Sequence, residues 1–115
     1  MNASIVVCTY NRAESLRETL AALCAQEAAP DCEWEVVVVD NNSRDRTRTV
    51  VADAQRACSR VRYEFEAEQG LSHARNRVSA SARGEIFLFT DDDVLPEKYW
   101  LHATLSGLAR YEADA

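Results

Sequence analysis

The sequence predicts an α/β fold: a doubly wound, mostly parallel sheet with flanking helices, in a single domain spanning residues 1–115. Two observations carry this reading. The first is a set of short β-branched or aromatic runs, SIVVCT (4–9), EVVVV (35–39), VRYEF (61–65) and EIFLFT (85–90), most of them without polar–apolar alternation. Continuous apolar strands of this kind are buried on both faces, as in parallel sheets. The second is that the segments between them place apolar residues at helical spacing, so the order reads β-α-β-α-β-α-β-α.

The first strand ends in the polar run TYNR (9–12). The helix expected over 12–27 sets Leu16, Leu20, Leu23 and Cys24 on one stripe, with Asn11 as its N-cap. The second strand leads into DNNSRD (40–45) and a helix over 44–58 that carries Val50, Val51, Ala54 and Cys58. VRYEF alternates more than the others and reads as an edge strand. A third helix over 71–82 carries Leu71, Ala74, Val78 and Ala82. EIFLFT runs into TDDD (90–93), and a last helix over 96–110 opens on Pro96, a residue suited to a first turn. Its apolar residues are Tyr99, Trp100, Leu101, Leu105 and Leu108, and the final EADA is expected to fray. Trp34 and Trp100 read as packing residues, and His73 as a helix-surface residue without a catalytic role.

With 115 residues, 47% of them hydrophobic and 28% charged, the chain supports one core but not two. A net charge of −6 argues against a nucleic-acid partner, because no basic surplus exists to neutralise phosphates. The cations are twelve Arg and one Lys, and Arg suits forked recognition of phosphate oxygens. No apolar run has the length of a membrane span, and MNASIVVCTYN lacks a basic leader, so a cytoplasmic protein is expected. Cys8, Cys24, Cys32 and Cys58 form no C-x-x-C pair and read as reduced, mostly buried thiols.

In such a sheet ligands bind outside the carboxyl ends of the strands, where TYNR, DNNSRD and TDDD should share one rim. Only Gly70, Gly84 and Gly107 are present, so neither G-x-G-x-x-G nor a Walker-type loop exists. That sets aside dinucleotide oxidoreductases and P-loop NTPases. Asp91, Asp92 and Asp93 raise a cost, because unit charges about 5 Å apart repel by roughly 3 kcal/mol at a dielectric near 20. In extended chain Asp91 and Asp93 would face one side and could share a hard divalent cation with phosphate oxygens. Asp92 would point elsewhere, free to accept from a hydroxyl pair such as a ribose. A solvated turn leading into the Pro96 helix is the alternative at this point.

Read in order, SIVVCTYNR, EVVVVDNNSRDRT and GLSHARNRVSASARGEIFLFTDDDV resemble the N-terminal, nucleotide-sugar-binding half of family 2 glycosyltransferases of the GT-A, Rossmann-like fold. The resemblance runs from Ser4 to about Trp100. It implies that Thr9, Tyr10, Asn11 and Arg12 lie against the nucleotide base and phosphates. Asp40 would hydrogen-bond a uracil-type base, and Arg75 of the A-R-N motif would face the base or the phosphates. The D-x-D motif falls on Asp91, Asp92 and Asp93, the first near ribose and metal and the last ligating Mn2+ or Mg2+. The implied reaction transfers a sugar from a nucleoside diphosphate, of the UDP type, to an acceptor hydroxyl with inversion.

Departures from the family pattern are Glu68-Gln69-Gly70, where many relatives have Asn before the Gly, and Arg77 at a usually small position. The acceptor-binding half with its catalytic carboxylate normally follows where this chain stops. The resemblance therefore implies a fragment of a longer catalytic domain that binds nucleotide and metal but does not transfer sugar by itself. No catalytic residue is assigned, because Glu112 and Asp114 match no motif. A non-catalytic nucleotide-binding domain would carry the same rim. A nucleotidyltransferase would ordinarily add a Gly-rich basic loop near its N-terminus, and none is present. A receiver domain would need an acid pair after the first strand, and haloacid-type phosphotransferases carry D-x-D on that strand instead.

Overall fold

Strands β1 (Asn2–Thr9), β2 (Glu33–Asp40), β3 (Val61–Phe65) and β4 (Ile86–Thr90) pair in parallel in the order β3-β2-β1-β4. The computed structural model describes residues 2–68, 73, 76–77 and 84–114, with side chains to residue 108. The register aligns Val6 with Val37 and with Phe89, and Thr9 with Asp40, which in turn faces Phe65. Alternation then sorts the side chains. Ala3, Ile5, Val7, Trp34, Val36, Val38 and Val61 form one core with residues from three helices, α1 (Ala13–Cys24), α2 (Thr47–Ala57) and α3 (Trp100–Asp114). Val6, Val37 and Val39 are completely buried on the opposite face, beside the half-buried Cys8. Both faces of β1 and β2 are thus covered, which is why their sequences are apolar without alternation.

The helices pack by the stripe their spacing predicts. Leu16, Leu20 and Leu23 of α1 are at most 1% exposed, and each such burial stabilises by about 1.5–3 kcal/mol. Val50 and Val51 of α2 and Leu101 and Leu105 of α3 join the same core. Trp34 lies within it and Trp100 packs against it.

Four expectations need correction. The apolar run of β4 is not buried throughout: Phe87 is 36% and Phe89 49% exposed, because β4 ends the strand order as β3 does. The cysteines are free, but all four are half-buried rather than buried, since they sit at the margins of the two cores. Helix α1 is not capped by Asn11. Arg12 holds the N-cap position without a side-chain cap bond, and Asn11 adopts φ 53° in the turn before it. Helix α3 begins at Trp100, four residues past Pro96. Its start is fixed instead by Gln26, a 7% exposed side chain whose Oε1 accepts from the Leu101 N–H at 2.9 Å while its Nε2 donates to the Glu97 carbonyl at 2.7 Å.

Most of the 71–82 helix expected from sequence lies outside the described residues. Within it, His73 is exposed beside Glu68 at 3.3 Å and Arg77 pairs with Glu66 at 3.5 Å. Among the described residues no helix is long and apolar enough to cross a membrane.

Candidate functional site

The chain builds outward from β1 through β2 to β3, then returns so that β4 lies on the other side of β1. The strand order reverses between β1 and β4, and the crevice outside the carboxyl ends at such a point is where ligands bind in open α/β sheets. A cleft of about 440 Å3 lies there, lined by Cys8 and Thr9 at the end of β1, Tyr10 and Arg12 after it, Asn41 after β2, and Asp91, Asp92 and Asp93 after β4. The three polar strand ends therefore do converge.

Their loops are bonded to one another. Asn11 donates its N–H to Ser43 Oγ at 2.9 Å and accepts the Arg44 N–H on Oδ1 at 2.7 Å, which explains its left-handed backbone. Asn tolerates that conformation better than most residues. Asp45 then caps two helices at once: Oδ2 accepts from Ala13 N–H at 3.1 Å, and Oδ1 from the N–H and hydroxyl of Thr47 at 3.0 and 2.5 Å. Burial alone would raise its pKa, but the Thr47 hydroxyl and the Ala13 and Thr47 N–H groups outweigh that and hold the carboxyl below its ordinary value. Asn41 closes the opposite flank, its N–H on the Thr9 carbonyl at 2.9 Å and its Nδ2 on the Glu68 carbonyl at 2.7 Å.

Asp40 does not reach the lining. It is 2% exposed, accepting from Ser43 N–H on Oδ1 at 2.8 Å and from the Tyr63 hydroxyl on Oδ2 at 2.7 Å. Burial, then the bond to Asp40, pushes the Tyr63 hydroxyl above its usual pKa. The carboxylate sits behind the wall that Asn41 presents to the cleft.

The acidic triplet is not extended, as the alternation argument required. The chain turns at Asp92–Asp93, and the Thr19 hydroxyl of α1 holds the Val94 carbonyl at 2.7 Å just beyond. Asp92 is the buried member, 8% exposed, and its Oδ2 accepts from the Thr9 hydroxyl at 2.8 Å. It is therefore engaged rather than free. Asp91 and Asp93 are exposed on the cleft. The Nη1 of Arg12 lies 3.4 Å from Asp93 Oδ2 and 3.7 Å from Asp92 Oδ1, so one cationic nitrogen stands between two carboxylates. Tyr10, 46% exposed, borders the same cleft. Arg75 lies outside the described residues.

The donor set suits a hard divalent cation, because it consists of carboxylate oxygens and already holds a positive nitrogen between them. Among the described residues no group of three ligating side chains converges, so a cation here would need further oxygens from a ligand. The sequence assigns no site role to Cys8, Asn41 or Asp45 individually. The signal for Asp45 was available, as an acid two residues before Thr47 at the head of a helix.

The sequence model of Glycosyl transferase family 2 matches residues 4–115. The uncharacterized glycosyltransferase YfnE of Bacillus subtilis is 35% identical over 98 residues, covering 85% of this chain and 24% of that protein. Among solved structures, S. aureus TarS superposes with a TM-score of 0.83 at 29% identity, over 97% of this chain and 20% of that one. TarS has also been solved with UDP-GlcNAc. The mannosyltransferase PcManGT from Pyrobaculum calidifontis, solved with GDP-Man and Mn2+, superposes with a TM-score of 0.74 at 34% identity, over 81% of this chain and 28% of that one. The chain thus spans about a quarter of the length of the proteins it matches. Its parallel sheet with flanking helices is the GT-A fold, and its sequence from Ser4 onward fits one family: the chain belongs to glycosyl transferase family 2.

Proposed function

We propose that the chain is the donor-binding part of a metal-dependent, inverting glycosyltransferase, holding a nucleoside diphosphate sugar of the UDP type in the cleft between the ends of β1 and β4. The observation that carries this reading is the meeting of Tyr10, Arg12 and Asp91–Asp93 on one rim. Its volume of about 440 Å3 falls within the roughly 300–1,000 Å3 usual for small-ligand sites. The UDP-GlcNAc on TarS and the GDP-Man with Mn2+ on PcManGT support the ligand class and the cation.

The half-exposed ring of Tyr10 offers a face for the base, and Arg12 offers a fork for phosphate oxygens. Asp91 and Asp93, exposed and close in sequence, would hold Mn2+ or Mg2+ together with the diphosphate. When bound, that cation supplies Lewis-acid stabilisation of the charge developing on the leaving diphosphate. Thr9 acts through Asp92, whose carboxylate it fixes. Asn11 and Asp40 act through the β2–α2 loop, Asn11 by bonding Ser43 and Arg44, and Asp40 by bonding Ser43. The proposed role of Arg75 rests on the family motif alone. The acceptor hydroxyl and the general base that deprotonates it are not assigned to residues of this chain.

Titration calorimetry with UDP, GDP and other nucleoside diphosphates, with Mn2+ or with EDTA, tests the reading. UDP should bind only with Mn2+, and Asp93→Ala should weaken it at least about tenfold, the effect of losing one charged ligand. Binding that survives both EDTA and Asp93→Ala would refute the proposal.

A further inference from the structure

Arg12 is placed where a bound cation and a bound diphosphate would both make claims on it. Its Nη1 contacts Asp93 Oδ2 at 3.4 Å and Asp92 Oδ1 at 3.7 Å, and these are the ion-pair partners of its guanidinium among the described residues. Both distances exceed the roughly 2.7–2.9 Å of a close charge-assisted bond, so the group is held loosely. Its side chain is 57% exposed, and it stands on the residue that opens α1, where no side-chain cap bond restrains it. Its backbone ties run through the carbonyl, which accepts from Leu16 N–H at 2.9 Å and Ser15 Oγ at 3.3 Å. The side chain can therefore move without disturbing the turn.

We infer that Arg12 is a resident counter-ion: it neutralises Asp92 and Asp93 and exchanges those partners for the diphosphate when donor and metal enter. The inference rests on the donor-binding reading of the preceding section. Its consequence is that cation and nucleotide bind as a pair. A free divalent cation meets a seat already shielded by a positive charge and short of ligating side chains. With the diphosphate present, two anionic phosphates draw the guanidinium away and supply the missing oxygens. Like charges at close range disfavour each other, so Arg12 penalises the cation alone and favours the complex.

Arg12→Gln separates these effects because they have opposite signs. Free Mn2+ binding, followed by the loss of the aqueous Mn2+ electron paramagnetic resonance signal, should strengthen about fivefold in the variant, the upper range for an exposed pair. Binding of UDP in saturating Mn2+, followed by calorimetry, should weaken about tenfold, the range of a lost charged hydrogen bond. Arg12→Lys keeps the charge and should leave free Mn2+ affinity near the parent value. A folding defect would weaken both, and a circular dichroism melt checks for one. If the parent binds UDP with Mn2+ but Arg12→Gln leaves free Mn2+ affinity unchanged or lower, the counter-ion inference is overturned and the donor site stands. If the parent binds no UDP with Mn2+, both are overturned.

Discussion

Replacing Asp45 by Ala tests how the two loops beside the cleft are held. The carboxylate accepts from Ala13 N–H at 3.1 Å at the head of α1 and from Thr47 N–H at 3.0 Å at the head of α2. Losing an N-cap costs about 0.5–2 kcal/mol, and this side chain serves two helices. It is exposed, so each loss belongs near the lower half of that range, and the sum is about 2 kcal/mol. With a urea dependence of about 1.5 kcal/mol per molar, the unfolding midpoint should fall by about 1.3 M at pH 7. Acid should erase part of the difference. The folded pKa of Asp45 lies below its ordinary 3.8, so its contribution is complete above that value and is lost as the pH falls through the folded pKa. The parent and variant midpoints should therefore converge below about pH 4 and stay apart at pH 5 and above. A shift under about 0.3 M at pH 7, or a gap unchanged down to pH 2, would refute the double-cap account.

Three further outcomes follow from the packing. Thr9→Val strands Asp92 Oδ2 beside a methyl group and should cost about 1–3 kcal/mol; an unchanged thermal midpoint would show that the Thr9–Asp92 bond contributes nothing. Gly84→Ala would place a Cβ 2.5 Å from Ser4 N and 2.6 Å from Ala3 C, both backbone, so about 3 kcal/mol should be lost; urea unfolding of the variant at the parent midpoint would contradict that clash. Burial, followed by a hydrogen bond with Cys58, pushes the Cys24 thiol up to about 12, which leaves about one thiolate in ten thousand at pH 8. Iodoacetamide should therefore spare Cys24 in the native chain and modify it in urea, as peptide mass mapping would report, and rapid native labelling would contradict this.

The strands were the most legible part of the sequence, because β1 and β2 are covered on both faces and their composition records only that fact. The helix starts were less so, and for a common reason: they are set by residues distant in sequence. Asp45 bonds Ala13 across 32 positions and Gln26 bonds Leu101 across 75, so no local pattern around Asn11 or Pro96 could reveal them. The exposure of Phe87 and Phe89 follows from strand order, which composition does not encode. At the site, the motifs name residues that the fold gathers on one rim, but not which of them are buried there and which are exposed. Asp40 reads like a ligand contact in one dimension and is a buried hydrogen-bond acceptor in three.

That division has a physical origin. Burying a polar side chain costs free energy unless its hydrogen bonds are met, and among the described residues no buried side-chain nitrogen or oxygen is left without a partner. Thr9, Asp40, Asn41 and Asp92 are all buried at the strand ends, and each is accordingly bonded to its neighbours. They form the wall. Tyr10, Arg12, Asp91 and Asp93 are exposed in front of it, and among the described residues the charges there are balanced by a loose contact through Arg12. The pairing of Asp91 with Asp93 as the outward members of the triplet thus follows from the anchoring of Asp92 by Thr9, not from strand alternation. On the proposed donor-site reading, freeing Asp92 would add a third carboxylate within reach of the cation. Thr9→Val should therefore change Mn2+ affinity, followed by electron paramagnetic resonance, as well as stability, a coupling that substitution of the exposed Tyr10 would not produce.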